Sequence, residues 1–279
     1  MIHAGFVTKV RAPPAEILYA PGLVELIALC LFSFLAGFVD SIVGGGGLIQ
    51  LPALFLFLPG PITTSIATVF GTNKMASICG TGVATVQYAR RISIHWEALL
   101  PAGLAALAFS FIGARAVALI NGQNLKPMIL GLLIAVGIYT YWRKDFGSLH
   151  APKLSASGEL WTGIAVGTAI GFYDGFFGPG TGSFLIFIFI GIFGFDFLTA
   201  SASAKFINLA TNLAAVAYFA ATDHVLYRYA LPMGVCNIAG SLCGTRLAIL
   251  KGNRFVRVFF IVVVSAIIGR FGWDVLSPK

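Results

Sequence analysis

Four charged residues sit where the chain is otherwise apolar: Asp40, Lys74, Asp174 and Lys205. Asp40 lies within Gly37-Phe38-Val39-Asp40-Ser41-Ile42-Val43-Gly44-Gly45-Gly46-Gly47. Asp174 lies within Gly171-Phe172-Tyr173-Asp174-Gly175-Phe176-Phe177-Gly178-Pro179-Gly180-Thr181-Gly182. The two stretches share Gly-Phe-x-Asp-x-x-x-Gly-x-Gly at an offset of 134 residues. An aspartate at the bilayer centre costs about 2.5–3.5 kcal/mol on insertion scales, so it needs a partner or a task. Each glycine gives up about 1 kcal/mol against alanine inside a helix. The same glycines allow left-handed turns and close backbone approach. Helix packing through small residues accounts for the glycines but leaves the acids unexplained. A glycine-broken, acid-bearing membrane segment that occurs twice points to a transporter binding region.

The lysines form the second constellation. Lys74 belongs to Gly71-Thr72-Asn73-Lys74-Met75-Ala76-Ser77, and Lys205 to Ser203-Ala204-Lys205-Phe206-Ile207-Asn208-Leu209-Ala210-Thr211-Asn212. Lys74 is 12 residues into its apolar segment. That places it about 18 Å deep, near the middle of a ~30 Å hydrocarbon layer. Such depth leaves no easy route for its ammonium to either face. Lys74 with Ser77, and Lys205 with Asn208, are i, i+3 neighbours on a helix. Buried ammonium groups flanked by amides and hydroxyls suit an anionic substrate. Helix ends freed at the glycine breaks add amide donors and partial positive charge. The alternative is that the lysines only neutralise the aspartates, since buried charges usually pair. A pair that opens can also gate or couple ions, so the two readings overlap.

These readings name a site. Lys74, Lys205, Thr72, Asn73, Asn208 and Asn212 contact substrate through side chains. Gly44, Gly45, Gly46, Gly178, Gly180 and Gly182 contribute backbone. Asp40 and Asp174 pair with the lysines or carry coupling protons. Arg115 and Arg246 read as interfacial anchors near the ends of their segments, and Pro101 and Pro232 fall near segment starts, where proline is tolerated.

The elements that must position this site are membrane helices. Of the 279 residues, 58% are hydrophobic and only 10% charged; mean hydropathy is +0.92. A soluble domain carries about 25% charged residues. The net charge of +8 therefore reads as loop lysines and arginines that set orientation, not as a nucleic-acid surface. Cys30, Cys79, Cys236 and Cys243 all fall in apolar segments without a CxxC pair, so they read as small core residues. His3, His95, His150 and His224 fall in the tail or in loops, so no metal site is expected. The GGGG run lacks the GK[ST] of a P-loop, and HExxH and GxSxG are absent. No cofactor is expected.

Residues 1–21 read as a tail, followed by a retained first span and not a cleaved signal peptide. With ~20 apolar residues needed to cross a bilayer, the first half holds five segments: about 22–43, 47–60, 62–89, 97–120 and 126–142. The second is short and contains Pro52, which suggests a hairpin with the first around the glycines. Residues 143–159 read as a linker. Five further segments follow at about 160–178, 182–197, 199–222, 229–250 and 254–274, so residues 160–274 form a second repeat matching 22–142.

The duplication reaches beyond the glycines. At an offset of 131, Lys74 matches Lys205, Leu100-Pro101 matches Leu231-Pro232, Ser110 matches Ser241, Gly113 matches Gly244 and Arg115 matches Arg246. An odd number of segments per half makes the repeats inverted. The expected fold is an all-α polytopic membrane protein of 8–10 transmembrane helices, some discontinuous or re-entrant. Alternating segments place Arg90, Arg91, Arg143, Lys144, Lys153, Lys251 and Arg254 on one face, which the positive-inside rule makes cytoplasmic.

The Gly37–Gly47 motif, the GTNKMAS run, the SAKFINLATN run and the duplicated halves resemble the TauE/SafE family. These are the sulfite-exporter-like permeases, also called the 4-toluene sulfonate uptake permease family. The resemblance covers nearly all of residues 22–274. It implies a multi-pass permease of the bacterial inner membrane for sulfur-containing oxyanions such as sulfite or organosulfonates. The family's paired glycine motifs fall on Gly37–Gly47 and Gly171–Gly182, and its lysine-bearing segments on Lys74 and Lys205. Pro179 and Thr181 replace glycines in the second copy, so the halves need not contribute equally. The expected function is a secondary transporter of small anions, with a proton as a possible coupling ion and the bilayer as its surroundings. Its rivals are an anion channel, an intramembrane enzyme using Asp40 and Asp174, and a subunit of a larger complex. Substrate, direction and oligomeric state stay open.

Overall fold

The backbone breaks where the glycines fall. In a computed structural model of the protein, Gly44 and Gly45 take φ of 74° and 91°, and Gly178 and Gly180 take 90° and 84°. These left-handed values are open to glycine at no steric cost. The structure describes residues 22–59, 62, 65–117 and 150–276. The N-terminal tail, the first half's fifth segment and most of the linker lie outside the described residues.

Each half opens with a helix, a glycine break and a shorter apolar helix. In the first half these are α1, Leu23–Val43, and α2, Gly47–Phe57. The long α3, Ile66–Ala89, and α4, Trp96–Val117, follow. In the second half α5 is Ala156–Phe176 and α6 is Thr181–Ile188, continued by a π-helical turn at Phe189–Phe193. Then come α7, Phe197–Ala221, and α8, Tyr227–Leu276, which bends at Gly252 (φ 70°). That bend falls between the last two apolar segments of the sequence. α5 begins inside the expected linker because Ser155 caps it, accepting a hydrogen bond from the Gly158 amide. Among the described residues every regular element is helical.

Four described helical stretches are long and apolar enough to cross a membrane: Leu23–Val43, Leu99–Val117, Phe197–Ala221 and Tyr227–Val263. α3 has 24 residues, but it carries Thr72, Asn73, Lys74, Ser77 and Thr81. The helices are hydrophobic on their outsides, with Leu23, Val24, Leu104, Leu231 and Val235 exposed. This outside-apolar, inside-polar arrangement is that of a protein dissolved in lipid.

Contact registers fix the helix directions. Ser33 bonds to Met233, Gly37 packs on Asn237 and Gly244 on Ser41, so α1 and α8 run parallel. Gly167, Gly171 and Gly175 pack on Ala102, Ala106 and Ser110, so α4 and α5 run parallel. Gly103 meets Phe206 and Ser110 meets Thr211, which sets α4 parallel to α7. Gly234 meets Cys79 and Ser241 meets Gly80, which sets α3 parallel to α8. Between α3 and α7 the register reverses: Thr85 bonds to the Lys205 carbonyl, while Lys74 bonds to Asn212. α1, α3 and α4 therefore oppose their counterparts α5, α7 and α8. The repeats are inverted, as their odd segment count implies.

α1 and α3 point the same way, so α2 must come back toward the side from which α1 started. The Phe32 and Phe57 rings, 5.9 Å apart, mark that hairpin. At 11 residues α2 is about 16 Å long, half a membrane. The interfaces are built from small residues. A β-carbon on Gly167 would lie 2.2 Å from the Ala102 carbonyl oxygen, and one on Gly37 would lie 2.3 Å from that of Asn237. These glycines serve close helix packing, the simpler of the two uses open to them.

Candidate anion site between the repeats

The two hairpin breaks meet. A β-carbon on Gly44 would lie 2.3 Å from the Gly182 backbone, and one on Gly182 would lie 2.6 Å from the Gly44 Cα. At this junction α1 and α5 end, and α2 and α6 begin. The two kinds of helix end are treated differently. The last carbonyls of α1 are occupied by side chains from three other elements: Tyr88 Oη donates to Ser41 at 2.8 Å, Ser201 Oγ to Ile42 at 2.9 Å and Ser183 Oγ to Val43 at 3.1 Å. In the second half Tyr173 Oη donates to Pro179 O at 2.6 Å, and Thr181 Oγ1 to Gly178 O at 2.7 Å. The negative end of α1 is thus masked by hydroxyl donors, and in the second half hydroxyls occupy carbonyls of the break that follows α5. The starts of α2 and α6, with their amide groups and partial positive charge, open on a shared space.

That space is a cavity of about 30 Å³ between the repeats. A cavity needs roughly 10–15 Å³ by this measure to hold a water molecule, so there is room for more than one. Its walls bring together Lys74, Asn73, Asn208, Asn212, Asp40 and Asp174 with Gly45, Gly178, Gly180 and Gly182. All of these were singled out from the sequence.

Two crossed ion pairs brace the walls. Lys74 Nζ lies 2.5 Å from Asp174 Oδ2 and 3.0 Å from Asn212 Oδ1. Lys205 Nζ lies 2.7 Å from Asp40 Oδ2. Each lysine reaches the aspartate of the opposite repeat, so exchanging the repeats maps one pair onto the other. The same exchange maps the Ser110–Thr211 hydrogen bond onto Ser241–Gly80. Thr81 and Asn212, themselves equivalent positions, contact each other at 3.5 Å.

The symmetry stops at exposure. Lys205 is fully buried, and its partner Asp40 is 17% exposed. Lys74 is 7% exposed, and its partner Asp174 is 2%. Lys205 is absent from the cavity wall, which the Lys74 side chain helps to form. Asp40 is also tied down by a second donor, the Gly46 amide at 3.2 Å from Oδ1.

Four residues named from the sequence lie away from the cavity. Lys205 is sequestered by Asp40. Thr72 joins α3 to the start of α8: its hydroxyl donates to Thr68 O at 2.8 Å and accepts from the Leu226 amide at 3.1 Å. Gly44 is pressed against Gly182, and Gly46 against Ala36 O and the Asp40 side chain. Four other residues join the wall: Ser77, Thr81, Gly47 and Thr181. Ser77 and Thr81 are i+3 and i+7 from Lys74, on one helix face. They also stand 131 residues before Asn208 and Asn212, so the internal offset was the signal that points to them.

Comparison with known proteins places the chain. The family description "Sulfite exporter TauE/SafE" matches residues 29–271. A probable membrane transporter protein, ORF9, of Sinorhizobium sp is 35% identical over 253 residues, covering 91% of this chain and 94% of the relative. A probable membrane transporter protein of Haemophilus influenzae is 30% identical over 257 residues, covering 91% and 96%. The probable membrane transporter protein YfcA of Escherichia coli is 32% identical over 245 residues, covering 86% of each. No solved structure matches the chain. A family match of this length, on a chain of apolar-faced helices, makes this protein a multi-pass membrane protein of the sulfite exporter TauE/SafE family.

Proposed function

We propose that the protein is a secondary transporter of small anions, chiefly sulfur oxyanions such as sulfite or small organosulfonates, across the bacterial inner membrane. One observation carries the reading: Lys74 and the starts of two half-helices share one cavity between inverted repeats. An ammonium and converging backbone amides are an anion's ligands. A broken-helix site at the interface of inverted repeats is the geometry of alternating access. Asn73, Asn208, Asn212, Ser77 and Thr81 supply amide and hydroxyl groups for the oxyanion's remaining oxygens. Lys205, with Asp40, braces the fold on the far side of the cavity.

The sulfur chemistry rests on the family name, and the cavity's size is in keeping with a compact oxyanion. Arg90, Lys153 and Lys251 flank the end of α3, the start of α5 and the bend of α8, which the helix directions put at one end of the bundle. That end is read as cytoplasmic.

The test is counterflow in proteoliposomes. Labelled sulfite or methanesulfonate outside should accumulate transiently when the unlabelled anion is loaded inside. Steady anion currents without exchange would instead mean a channel. Conversion of the anion without any gradient would mean an enzyme.

A further inference from the structure

We propose that Asp174 carries one proton for each anion that occupies Lys74, so that the loaded site stays electrically neutral. The proposal rests on the anion-site reading above. Lys74, Asp174, Lys205 and Asp40 sum to zero charge in two ion pairs. An entering monoanion adds one negative charge to a site whose four charges already balance. Lys205 cannot answer it, being fully buried on Asp40 and absent from the wall. Lys74 is the ammonium that reaches the wall, and it already serves Asp174 and Asn212. An anion on Lys74 therefore leaves two negative groups around one cation. Like charges sharing a buried site drive one of them to protonate.

The geometry selects Asp174 over Asp40. Asp40 keeps two donors that the anion does not compete for, Lys205 Nζ and the Gly46 amide. Among the described residues Asp174 has Lys74 alone. At 2% exposure it has no water shell to fall back on. The charged groups that face it are Lys74 from α3 and Asp40 from α1, across the cavity. Tyr173, beside it on α5, holds its hydroxyl on Pro179 O. α6 and α7 present Thr181, Asn208 and Asn212, none of which titrates here.

The same wall also holds an acceptor left without a donor. Asn73 Oδ1 is buried on the same wall and accepts no hydrogen bond. An acceptor left without a donor is costly unless some state supplies one. In the step itself, a proton from the aqueous side adds to an Asp174 carboxylate oxygen as the anion displaces that carboxylate from Lys74. Both leave together on the other side, where the Lys74–Asp174 pair reforms.

The experiment counts protons on binding. Methanesulfonate is the probe, because it does not titrate near neutral pH and every proton counted belongs to the protein. Calorimetric titration of the purified full-length protein in buffers of different ionisation heat gives the number taken up. About one proton per anion is expected, with affinity falling about tenfold per pH unit on the alkaline side. Asp174→Asn should bind with no proton uptake and a flat pH profile. Wild-type binding with no proton uptake would overturn the proposal while leaving the anion site standing, and that result needs no variant to fold. Proton uptake that persists in Asp174→Asn would assign it elsewhere and also overturn it. No methanesulfonate binding at any pH would remove the anion site and this proposal with it.

Discussion

The ammonium of Lys74 on α3 lies 2.5 Å from the carboxylate of Asp174 on α5, in the opposite repeat. Its mirror, Lys205 with Asp40, is built the same way but turned outside in: there the cation is hidden and the acid meets the cavity. Two equivalent pairs thus stand differently toward the cavity, and under the proposed reading they have unequal tasks.

Lys205 should behave as a structural residue. Removing one partner of a buried pair costs about 3–5 kcal/mol, whereas removing both can be close to neutral. Lys205→Met should lower membrane abundance and melting temperature sharply, and adding Asp40→Asn should restore most of the loss. Lys74→Met with Asp174→Asn should also recover abundance but remain without transport. Fluorescence-detected gel filtration beside an uptake assay separates the two pairs. Normal transport by the second double variant would remove Lys74 from the site.

The glycines should differ from one another. A β-carbon at Gly44 meets the Gly182 backbone at 2.3 Å, and φ there is 74°. At Gly47 it meets only Pro179, at 3.6 Å from Cα and 4.0 Å from N, which is ordinary contact. Gly44→Ala should therefore lose folded protein, because two backbones cannot both yield. Gly47→Ala should insert normally, and any defect should appear in transport. Equal abundance of the two variants would contradict the hairpin junction.

How far the sequence reached is clearest at this junction. The doubled Gly-Phe-x-Asp motif placed both breaks, because only glycine takes the backbone angles found at Gly44 and Gly178 at little cost. The apolar segment limits placed the helices to within a few residues, and the odd segment count implied inversion. The cross-pairing of Lys74 with Asp174 was open, because partners 100 residues apart leave no local signature. The place of Thr72 away from the cavity was hidden for a similar reason. Its polar type was visible, but its partner, the Leu226 amide 154 residues away, was not. Lys205 and Lys74 hold equivalent positions in the two repeats, so the sequence did not announce that packing keeps one off the cavity wall and leaves the other on it.

Ser77 and Thr81 should tune affinity without supporting the fold. Both line the cavity, and Thr81 meets Asn212 only at 3.5 Å. Loss of one neutral hydrogen bond to a ligand is worth about 0.5–1.5 kcal/mol, or roughly two- to tenfold in affinity. Ser77→Ala and Thr81→Ala should each weaken anion binding within that range, at unchanged melting temperature. Thr72→Val should do the reverse, lowering the melting temperature with affinity preserved in the surviving protein.

Arg115 and Arg246 occupy equivalent positions near the ends of α4 and in α8, helices that run in opposite directions. Single cysteines at these two sites should label from opposite sides of sealed vesicles. The background should have Cys30, Cys79, Cys236 and Cys243 replaced, since all four are free thiols. Labelling from the same side would contradict the inverted fold.

The central claim is that the anion takes Lys74 in the cavity between the repeats. The most direct measurement is a structure of the protein soaked with selenite, a heavier analogue of sulfite, located by selenium anomalous scattering. The account predicts a single strong peak within hydrogen-bonding reach of Lys74 Nζ, with the Lys74–Asp174 contact opened and Lys205–Asp40 intact. A selenium bound elsewhere, with Lys74 still closed on Asp174, would contradict it.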